Sequence, residues 1–357
     1  MILEEKIIFY AENRASINHL RPLMNEFILR NQQIVYATSV ENDLNFSDEP
    51  LVKIIKVGKG MARINFFLKI ETKIFVTDMP DIEKYHLKRS RKFNVHYIYV
   101  FHSVFSTHSY LRKGALDHYD TIFCVGDHHI KEILETEKMC DLEPKKLVKY
   151  GFPRIEEVLK NVEKKDVDSN LIILAPSYGK DNFLLKHGQM IINILLENNF
   201  IVFLRPHYRI FEENAKKINQ IISEFEDNKN FIIENGIIPH KIFNESLCMI
   251  TDWSGISFEY AFAQLKPVIF IDMPMKNMNS DYKKFLNLPV EISMREKIGH
   301  VLQEEQLDEL INVIHYSLSN KLSKKDQIQK CFENTIFNIG SSTNIGYEYI
   351  QKILTEK

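Results

Sequence analysis

The 357-residue sequence contains little cysteine, glycine and proline, with 4, 12 and 11 residues respectively. The four cysteines form no C-x-x-C pair, which argues against a zinc ribbon or a dense disulfide framework, so free and mostly buried thiols are expected. No run approaches the roughly 20 apolar residues that a membrane-spanning helix requires. Residues 1–6 are acidic where a secretory signal would be basic, so we expect a cytoplasmic protein.

Neither sign of charge is in large excess, because 46 Lys and Arg face 48 Asp and Glu, for a formal net charge of −2. A broad nucleic-acid surface needs a basic excess, so nucleic acid is not an expected partner. The dense basic run at residues 88–92 is either a solvated loop or a contact for anionic lipid headgroups or a polyanionic acceptor. With Phe66 and Phe67, which we expect to be exposed, it supports the hypothesis of peripheral attachment to the inner face of the cell membrane.

The common phosphate-binding motifs are also missing, since the sequence has no G-x-G-x-x-G and no Walker P-loop. Gly58-Lys59-Gly60 follows a predicted strand and opens a helix, where it is either an anion-binding turn or an ordinary tight turn. The strand-end acids Asp78, Asp252 and Asp272 occur singly, without the spacing of metal ligands. We therefore expect no metal and no cofactor.

The sequence does contain a regular alternation of short apolar runs with amphipathic stretches of helical length, which is typical of parallel βαβ units. The strands predicted in the first half are residues 6–10, 33–38, 52–57, 73–77, 95–101 and 121–125. Those predicted in the second half are residues 171–175, 200–205, 231–234, 248–251 and 267–271. Beyond about residue 293 the pattern predicts helices only.

The polar segment 161–170 separates the two series of strands and is the predicted linker. The pattern predicts an α/β fold of two Rossmann-like, doubly wound domains with a ligand cleft between them, over residues 1–165 and 166–357. The final helices form a helical tail, with a crossing back to the first domain as an alternative. Ligands of open α/β sheets bind beyond the carboxyl ends of the strands, so the residues just after the strands are the candidate site.

One polar cluster follows the apolar run 95–101 and begins with His102. A histidine at this end of a strand has an ordinary pKa near 6.5, which suits a general base. The alternative is a histidine whose ring is satisfied by a backbone carbonyl group. His128 and His129 are expected on the surface of a helix that begins after Gly126.

Two further clusters follow strands of the second half. Arg205-Pro206-His207 offers a planar guanidinium and an imidazole for phosphate oxygens, unless the arginine pairs with a neighbouring acid. The stretch from Thr251 to Gly255 ends an apolar run and opens an amphipathic helix, whose free N–H groups suit an anion. Simple capping of that helix by Asp252 or Ser254 is compatible with the same pattern.

Five short elements therefore lie in order at predicted strand ends: His102-Ser103-Val104, Gly151-Phe152-Pro153-Arg154, Ala175-Pro176-Ser177, Arg205-Pro206-His207 and Thr251-Asp252-Trp253-Ser254-Gly255. Together they resemble the His-Gly-Thr, Gly-Tyr-Pro-Arg, Ala-Pro-Thr, Arg-x-His and Thr-Asp-Tyr-Ser-Ser elements of the CDP-glycerol glycerophosphotransferase family of teichoic-acid and capsule synthesis. The resemblance covers roughly residues 95–275. It implies the GT-B fold, with a first domain on the acceptor side and a second domain that binds the nucleotide donor.

The resemblance also implies an enzyme that moves a polyol phosphate from a CDP-activated donor to a saccharide or lipid-linked polymer acceptor at the cell surface. It implies His102 as the catalytic base, and His207 with Arg205 as the groups that hold the transferred phosphate. Ser254 and the amides that follow it would bind the diphosphate. The other donor-binding or substrate-binding positions that it implies are Ser103, Arg154, Pro176, Ser177, Thr251, Asp252, Gly255 and Ser257.

The sequence departs from the family pattern at several positions, and the arginine that often follows the Ala-Pro-Thr element is missing, with Gly179-Lys180 nearby instead. Ser103 stands where the family has glycine, and Gly255 stands where it has a second serine, although Ser257 lies one turn further on. A GT-B enzyme that uses a nucleotide-activated sugar, or a relative of the nucleotide-sugar 2-epimerases, is therefore an alternative. A non-catalytic nucleotide-binding scaffold is a third. A screen of CDP-polyols against UDP-sugars and CMP-sugars separates these functions.

Overall fold

The computed structural model describes residues 6–163, 169–234 and 239–356, without the side chain of residue 208. The chain divides into two compact units. Unit 1 comprises Met1–Glu157, Asn277–Asn287 and Thr335–Lys357, and unit 2 comprises Val158–Lys276 and Leu288–Asn334. Each unit is built around one parallel sheet.

The sheet of unit 1 has seven strands in the order β3-β2-β1-β4-β5-β6-β7. These strands are β1 (Ile7–Ala11), β2 (Ile34–Thr38), β3 (Val52–Lys56), β4 (Ile74–Thr77), β5 (His96–Val100), β6 (Thr121–Cys124) and β7 (Lys146–Lys149). All neighbouring pairs are parallel. The central strands are continuous apolar runs because parallel strands are covered on both faces.

The sheet of unit 2 has six strands in the order β10-β9-β8-β11-β12-β13. These strands are β8 (Leu171–Ala175), β9 (Ile201–Leu204), β10 (Phe231–Ile233), β11 (Ser246–Thr251), β12 (Val268–Asp272) and β13 (Gly299–Gln303). The pairs are again parallel. In each sheet the strand order reverses once, beside β1 in unit 1 and beside β8 in unit 2, and ligands of such sheets bind at this point.

Helices follow most of the strands and cover the sheets. They are α1 (Ser16–Leu29), α2 (Gly60–Lys69), α3 (Thr107–Tyr110), α4 (Asp127–Cys140), α5 (Pro153–Lys160), α6 (Phe183–Glu197), α7 (Tyr208–Phe225), α8 (His240–Glu245), α9 (Ile256–Gln264), α10 (Val290–Ser293), α11 (Arg295–Ile298), α12 (Leu310–Ser319), α13 (Lys321–Thr335) and α14 (Ser342–Thr355), with 3₁₀ turns at Tyr282–Lys284 and Glu304–Glu309. Within unit 1, α14 packs on α1, where the ring centroids of Phe27 and Tyr347 lie 4.9 Å apart.

The structure confirms the predicted α/β class and the eleven predicted strands, each within two residues of an observed strand. The prediction of helices only beyond about residue 293 is wrong, because β13 (Gly299–Gln303) pairs with β12. Strand β7 was not predicted either, since its Lys-Leu-Val-Lys sequence is short and half polar. Residues 164–168 of the predicted linker lie outside the described residues, and the acceptor and donor roles of 1–165 and 166–357 stay predictions.

Candidate functional site

Three polar side chains follow three neighbouring strands of unit 1. Glu12 comes directly after β1, Asp78 directly after β4, and His102 two residues after β5. Because β1, β4 and β5 are adjacent and parallel, their carboxyl ends lie at the same edge of the sheet. This edge includes the point where the strand order reverses, so it is a candidate ligand site.

Asp78 is an almost completely buried carboxyl group with 5% of its surface exposed. Burial, and to a smaller extent the Glu12 carboxylate, raises the pKa of Asp78 from 3.8 to about 7, although the neighbouring Ser16 hydroxyl acts in the opposite direction. Asp78 Oδ1 has no hydrogen-bond partner among the described residues. Near neutral pH this carboxyl group can therefore either donate or accept a proton.

His102 is half-buried, and its ring hydrogen-bonds to the backbone of Asp78. Burial lowers the pKa of His102 below its ordinary value, although the hydrogen bond to Asp78 acts in the opposite direction. The ring of Tyr110 packs against it edge-on, with 5.5 Å between the ring centroids. Donation to a carbonyl group leaves the second nitrogen of a neutral imidazole with its lone pair, which is the form that a general base needs.

His19 and Arg154 lie beside this group. The ring centroids of His19 and His102 are 6.0 Å apart, and burial together with the charges of His102 and Arg154 lowers the pKa of His19 well below its usual range. Arg154 Nη1 pairs with Glu157 Oε2 at 3.2 Å. Arg154 belongs to unit 1. It follows Gly151, whose φ of +106° favours glycine.

A buried network on α4 holds the loop that carries His102. The Glu132 carboxylate accepts hydrogen bonds from Thr107, from the backbone N–H at 2.6 Å and from the hydroxyl at 2.8 Å. His129 Nε2 donates to the carbonyl of Phe105 at 2.9 Å, and His128 Nε2 donates to the carbonyl one residue earlier at 2.8 Å. The loop is therefore held from both its backbone and its side chains.

The expectation that His128 and His129 lie on the surface is wrong. His129 is fully buried, with its ring centroid 3.8 Å from that of Phe101, and His128 is half-buried. Burial alone would raise the pKa of Glu132, but a hydrogen bond from His108 and the charges of the three histidines lower it to about 2. Glu132 therefore keeps its charge in the interior.

Ser103 contributes to the same loop, because its hydroxyl accepts a hydrogen bond from the backbone N–H of Phe105 at 3.2 Å. The serine that stands in place of the family's glycine therefore closes a local turn next to His102.

In unit 2, cationic side chains gather around the ring of Tyr178. Lys276 Nζ lies 3.7 Å from the ring centroid, and Arg209 Cζ lies 4.2 Å from it. The ring centroids of Tyr178 and His207 are 4.8 Å apart. Burial, followed by the charges of Arg205, Lys276 and Arg209, lowers the pKa of His207 to about 3. We call these residues the Tyr178 cluster.

Lys276 is the most unusual member of the Tyr178 cluster. Its ammonium group is buried and has no hydrogen-bond partner among the described residues. Burial lowers the pKa of Lys276 to about 8, with Arg209 acting in the same direction and Asp252 and Glu213 acting against it. Because buried charges need a partner, the cluster is suited to an anion with several oxygens, such as a diphosphate.

Asp252 positions the loop that carries Tyr178. Its two carboxylate oxygens accept hydrogen bonds from the backbone N–H groups of Ser177 at 2.8 Å and Phe183 at 3.3 Å. Pro176, Ser177 and Asp252 are all buried. The two hydrogen bonds to Asp252 therefore shape the loop after β8.

The residues around the start of α9 are also tied together. The Thr251 hydroxyl donates to the carbonyl of Ala175 at 2.6 Å, which links β11 to β8. Ser257 donates to the carbonyl of Ser254 from its backbone N–H at 3.1 Å and from its hydroxyl at 2.8 Å. Gly255 precedes the helix. Binding of a diphosphate by Ser254 and Gly255 stays a prediction.

Within the described part of the chain, no group of three or more His, Cys, Asp or Glu side chains is placed to hold a metal ion. No described helix has both the length and the apolar composition needed to cross a membrane.

Two residues of the basic run 88–92 make hydrogen bonds within unit 1. Arg89 donates to two backbone carbonyl groups at 2.7 and 3.1 Å, and Lys88 donates to another at 2.5 Å.

The expectation of an exposed Phe67 is wrong, because this ring is fully buried and packs on Tyr10 with 4.9 Å between centroids. Phe66 is half-buried.

Residues 4–342 match the family described as CDP-Glycerol:Poly(glycerophosphate) glycerophosphotransferase. The chain belongs to this family. The match covers the strand-end elements of both units, so the resemblance seen in the sequence is confirmed.

A similar curated protein is the minor teichoic acid biosynthesis protein GgaB of Bacillus subtilis (strain 168), which is 24% identical over 212 residues. These residues make up 52% of this chain and 21% of GgaB, so the match spans about a fifth of that relative.

Solved structures share the fold. The wall teichoic acid polymerase TagF matches with a TM-score of 0.61 and 16% identity, over 99% of this chain and 90% of that one. The UDP-GlcNAc 2-epimerase of Methanocaldococcus jannaschii, in complex with UDP-GlcNAc and UDP, matches with a TM-score of 0.61 and 15% identity, over 97% of this chain and 99% of that one. The GT-B fold is therefore confirmed.

The sequence pattern missed several residues of these two strand-end sites. Lys276 comes four residues after β12, beyond the strand-end elements. Tyr178 directly follows the Ala175-Pro176-Ser177 element, but an aromatic residue does not by itself indicate a phosphate site. Asp78 was noticed only as a single acid, because nothing in its neighbours reveals its burial. Glu132 is one of several acids on α4, and its neighbours in the sequence do not indicate that it is buried.

Proposed function

We propose that this chain transfers a glycerol-phosphate unit, or a related polyol phosphate, from a CDP-activated donor to a hydroxyl group of a teichoic-acid-type or capsular polysaccharide acceptor. Membership of the glycerophosphotransferase family supports the donor class. The names of GgaB and TagF support an acceptor of the teichoic-acid type. The observation that carries the catalytic part is the position of His102, two residues after β5 at the edge of the sheet that includes the reversal of strand order.

In the proposed reaction, the acceptor hydroxyl oxygen attacks the phosphorus that carries the glycerol. A new P–O bond forms, and the bond from that phosphorus to the oxygen bridging to CMP breaks. CMP leaves with the bridging oxygen and its electron pair, while the hydroxyl proton moves to the free nitrogen of His102. Such transfers depend on orientation and on positive charge around the phosphate oxygens rather than on covalent catalysis by the protein.

The Tyr178 cluster would supply the positive charge in this scheme. Arg205 and Lys276 would bind the diphosphate oxygens directly. His207 Nδ1 accepts a hydrogen bond from the backbone N–H of Arg209, so the neutral ring would donate from Nε2. Ser254 and the first amides of α9 would add donors from the neighbouring strand end. Asp252, Thr251 and Ser257 would act through the backbone contacts that they make.

The donor class is tested by thermal unfolding with CDP-glycerol, CDP-ribitol, UDP-sugars and CMP-sugars, because a ligand that binds the folded state stabilises it. We expect CDP-glycerol or CDP-ribitol to give the largest shift, and CMP release to depend on an added polyol-phosphate acceptor. A preference for a UDP-sugar would instead favour a sugar-transferring enzyme or an epimerase. Donor binding without CMP release would favour a scaffold.

A cytoplasmic location, a lipid-linked acceptor and contact with an anionic membrane extend the proposal. Arg91 and Lys92 are exposed members of the basic run. Their replacement by alanine should weaken binding to vesicles that contain anionic lipid, and the difference should shrink at high salt. Equal binding of both proteins would remove membrane contact from the proposal.

A further inference from the structure

Among the buried polar atoms of unit 1 that lack a hydrogen-bond partner of normal geometry within the described residues, four lie close together. They are Glu12 Oε2, Ser16 Oγ, His19 Nδ1 and Asp78 Oδ1. The residues Ser16 and Asp78 are 1% and 5% exposed. Most buried polar atoms of folded proteins are paired, so a group of four such atoms calls for a bound partner.

The four atoms belong to one neighbourhood. Asp78 is influenced by both Ser16 and Glu12, and the ring of His19 lies 6.0 Å from that of His102, which itself bonds to the backbone of Asp78. Glu12 and Asp78 end β1 and β4, and Ser16 and His19 lie in the first two turns of α1. The group therefore occupies the reversal point of the sheet, next to the proposed base.

The chemistry of the group selects an uncharged ligand with hydroxyl groups. Glu12 Oε1 is already bound by Arg63 at 2.6 Å and by His86 at 2.7 Å, which leaves Oε2 as an open acceptor. Asp78 can donate or accept, the Ser16 hydroxyl can do both, and a neutral His19 ring offers one more site. The Glu12 carboxylate would repel a phosphate at this position.

We infer that Glu12, Ser16, His19 and Asp78 form a subsite for the terminal polyol of the acceptor, in which neighbouring hydroxyl groups pair with these four side chains. This inference rests on the proposed function for the identity of the acceptor. A hydroxyl group bound here lies beside His102, so the subsite would select the hydroxyl that the base deprotonates. Ser16 and His19 are then specificity-determining residues.

The test uses the full chain and a synthetic glycerol-phosphate trimer that ends in a free glycerol hydroxyl. For Ser16→Ala we expect the KM for the trimer to rise about threefold to tenfold, as the loss of one hydrogen bond predicts. The rate of CDP-glycerol hydrolysis without trimer is measured with the same preparations, as a reference for the donor site. Ser47→Ala, at an exposed serine of the same unit, is the matched control and should change neither quantity.

Binding of the trimer alone, measured by calorimetry without donor, separates the subsite from the proposed function. Weaker binding by Ser16→Ala and by His19→Gln supports the subsite even if CDP-glycerol proves not to be the donor. Equal binding by wild type and both variants, or no binding by the wild type, overturns the subsite and leaves the donor assay unaffected.

Thermal unfolding without ligand excludes a merely structural role. Ser16→Ala removes a buried hydroxyl whose contact with Asp78 lacks normal hydrogen-bond geometry, so its Tm should stay close to that of the wild type. A lower Tm, with loss of donor hydrolysis and acceptor use in parallel, would show that Ser16 stabilises the fold and would overturn its role in binding.

Discussion

The strand-end sites of the two units have opposite electrostatic character. In unit 1, burial and a second carboxylate raise the pKa of Asp78 to about 7. In unit 2, burial and neighbouring cations lower the pKa of His207 to about 3 and that of Lys276 to about 8. Each unit therefore buries ionisable groups at some cost in stability. Groups with strongly shifted pKa values cluster at functional sites. The first site suits hydroxyl groups and proton transfer, whereas the second suits phosphate.

The largest expected effect comes from the base of unit 1. His102→Ala should lower the rate of transfer by about 10²–10⁴, the usual contribution of a general base. His102→Gln keeps a hydrogen bond to the backbone of Asp78 but cannot accept a proton, so it should lose a similar factor. The rate of CMP release with an excess of acceptor measures both. Turnover close to wild type in either variant would exclude His102 as the base.

The next largest effect concerns the phosphate site of unit 2. Lys276→Met removes a buried ammonium group but keeps most of the side-chain volume, and we expect the Kd for CDP-glycerol to rise about tenfold to a hundredfold. Lys216→Met, at an exposed lysine of α7, is the matched control. Calorimetric titration measures both. An unchanged Kd for Lys276→Met would remove the Tyr178 cluster from donor binding.

A smaller effect should appear in the stability of unit 1. The native pKa of Asp78 is raised from 3.8 to about 7, so its ionisation opposes folding, and the penalty grows as the pH rises from about 4 to 7. Asp78→Asn should therefore stabilise the protein by about 1–3 kcal/mol more at pH 8 than at pH 5. Urea unfolding at the two pH values measures this difference.

Asp48→Asn, at an exposed position of unit 1, is the control for this experiment and should show no such trend. If Asp78→Asn has the same effect on the free energy of unfolding at pH 5 and pH 8, the carboxyl group of Asp78 is ionised like an ordinary aspartate and the contrast between the units weakens.

The smallest expected signal is a proton taken up with the donor. With a pKa of about 8, Lys276 is half-protonated at pH 8, and bound phosphate raises that pKa. Binding of CDP at pH 8 should therefore take up about half a proton, and affinity should fall as the pH rises further. Calorimetry in two buffers of different ionisation enthalpy measures the uptake. Uptake that persists in Lys276→Met would assign the proton to another group.

The sequence predicts the fold better than the sites. Continuous apolar runs reveal the central strands because parallel strands are buried on both faces, whereas β7 and β13 are short edge strands with mixed composition. His102, Arg205 and His207 are readable because they directly follow such runs. The burial of Asp78, His129 and Glu132 is not readable, since it depends on packing between segments far apart in the chain.

The Tyr178 cluster could not be predicted from the sequence for the same reason, because its members lie far apart in the chain. Tyr178, Lys276 and Arg209 come from three separate segments, and only the folded sheet of unit 2 brings their side chains together. No local pattern marks Lys276 as buried or unpaired. The only signal in the sequence is that Lys276 is a basic residue within a few positions of a strand end.

The central claim is that unit 1 supplies the base and unit 2 binds the donor. It is tested most directly by titrating CDP-glycerol into wild type, His102→Ala and Lys276→Met under identical conditions. We predict a Kd within about twofold of wild type for His102→Ala, because the base is absent from donor binding, and a Kd raised at least about tenfold for Lys276→Met. A donor affinity that depends on His102 but not on Lys276 would contradict this account.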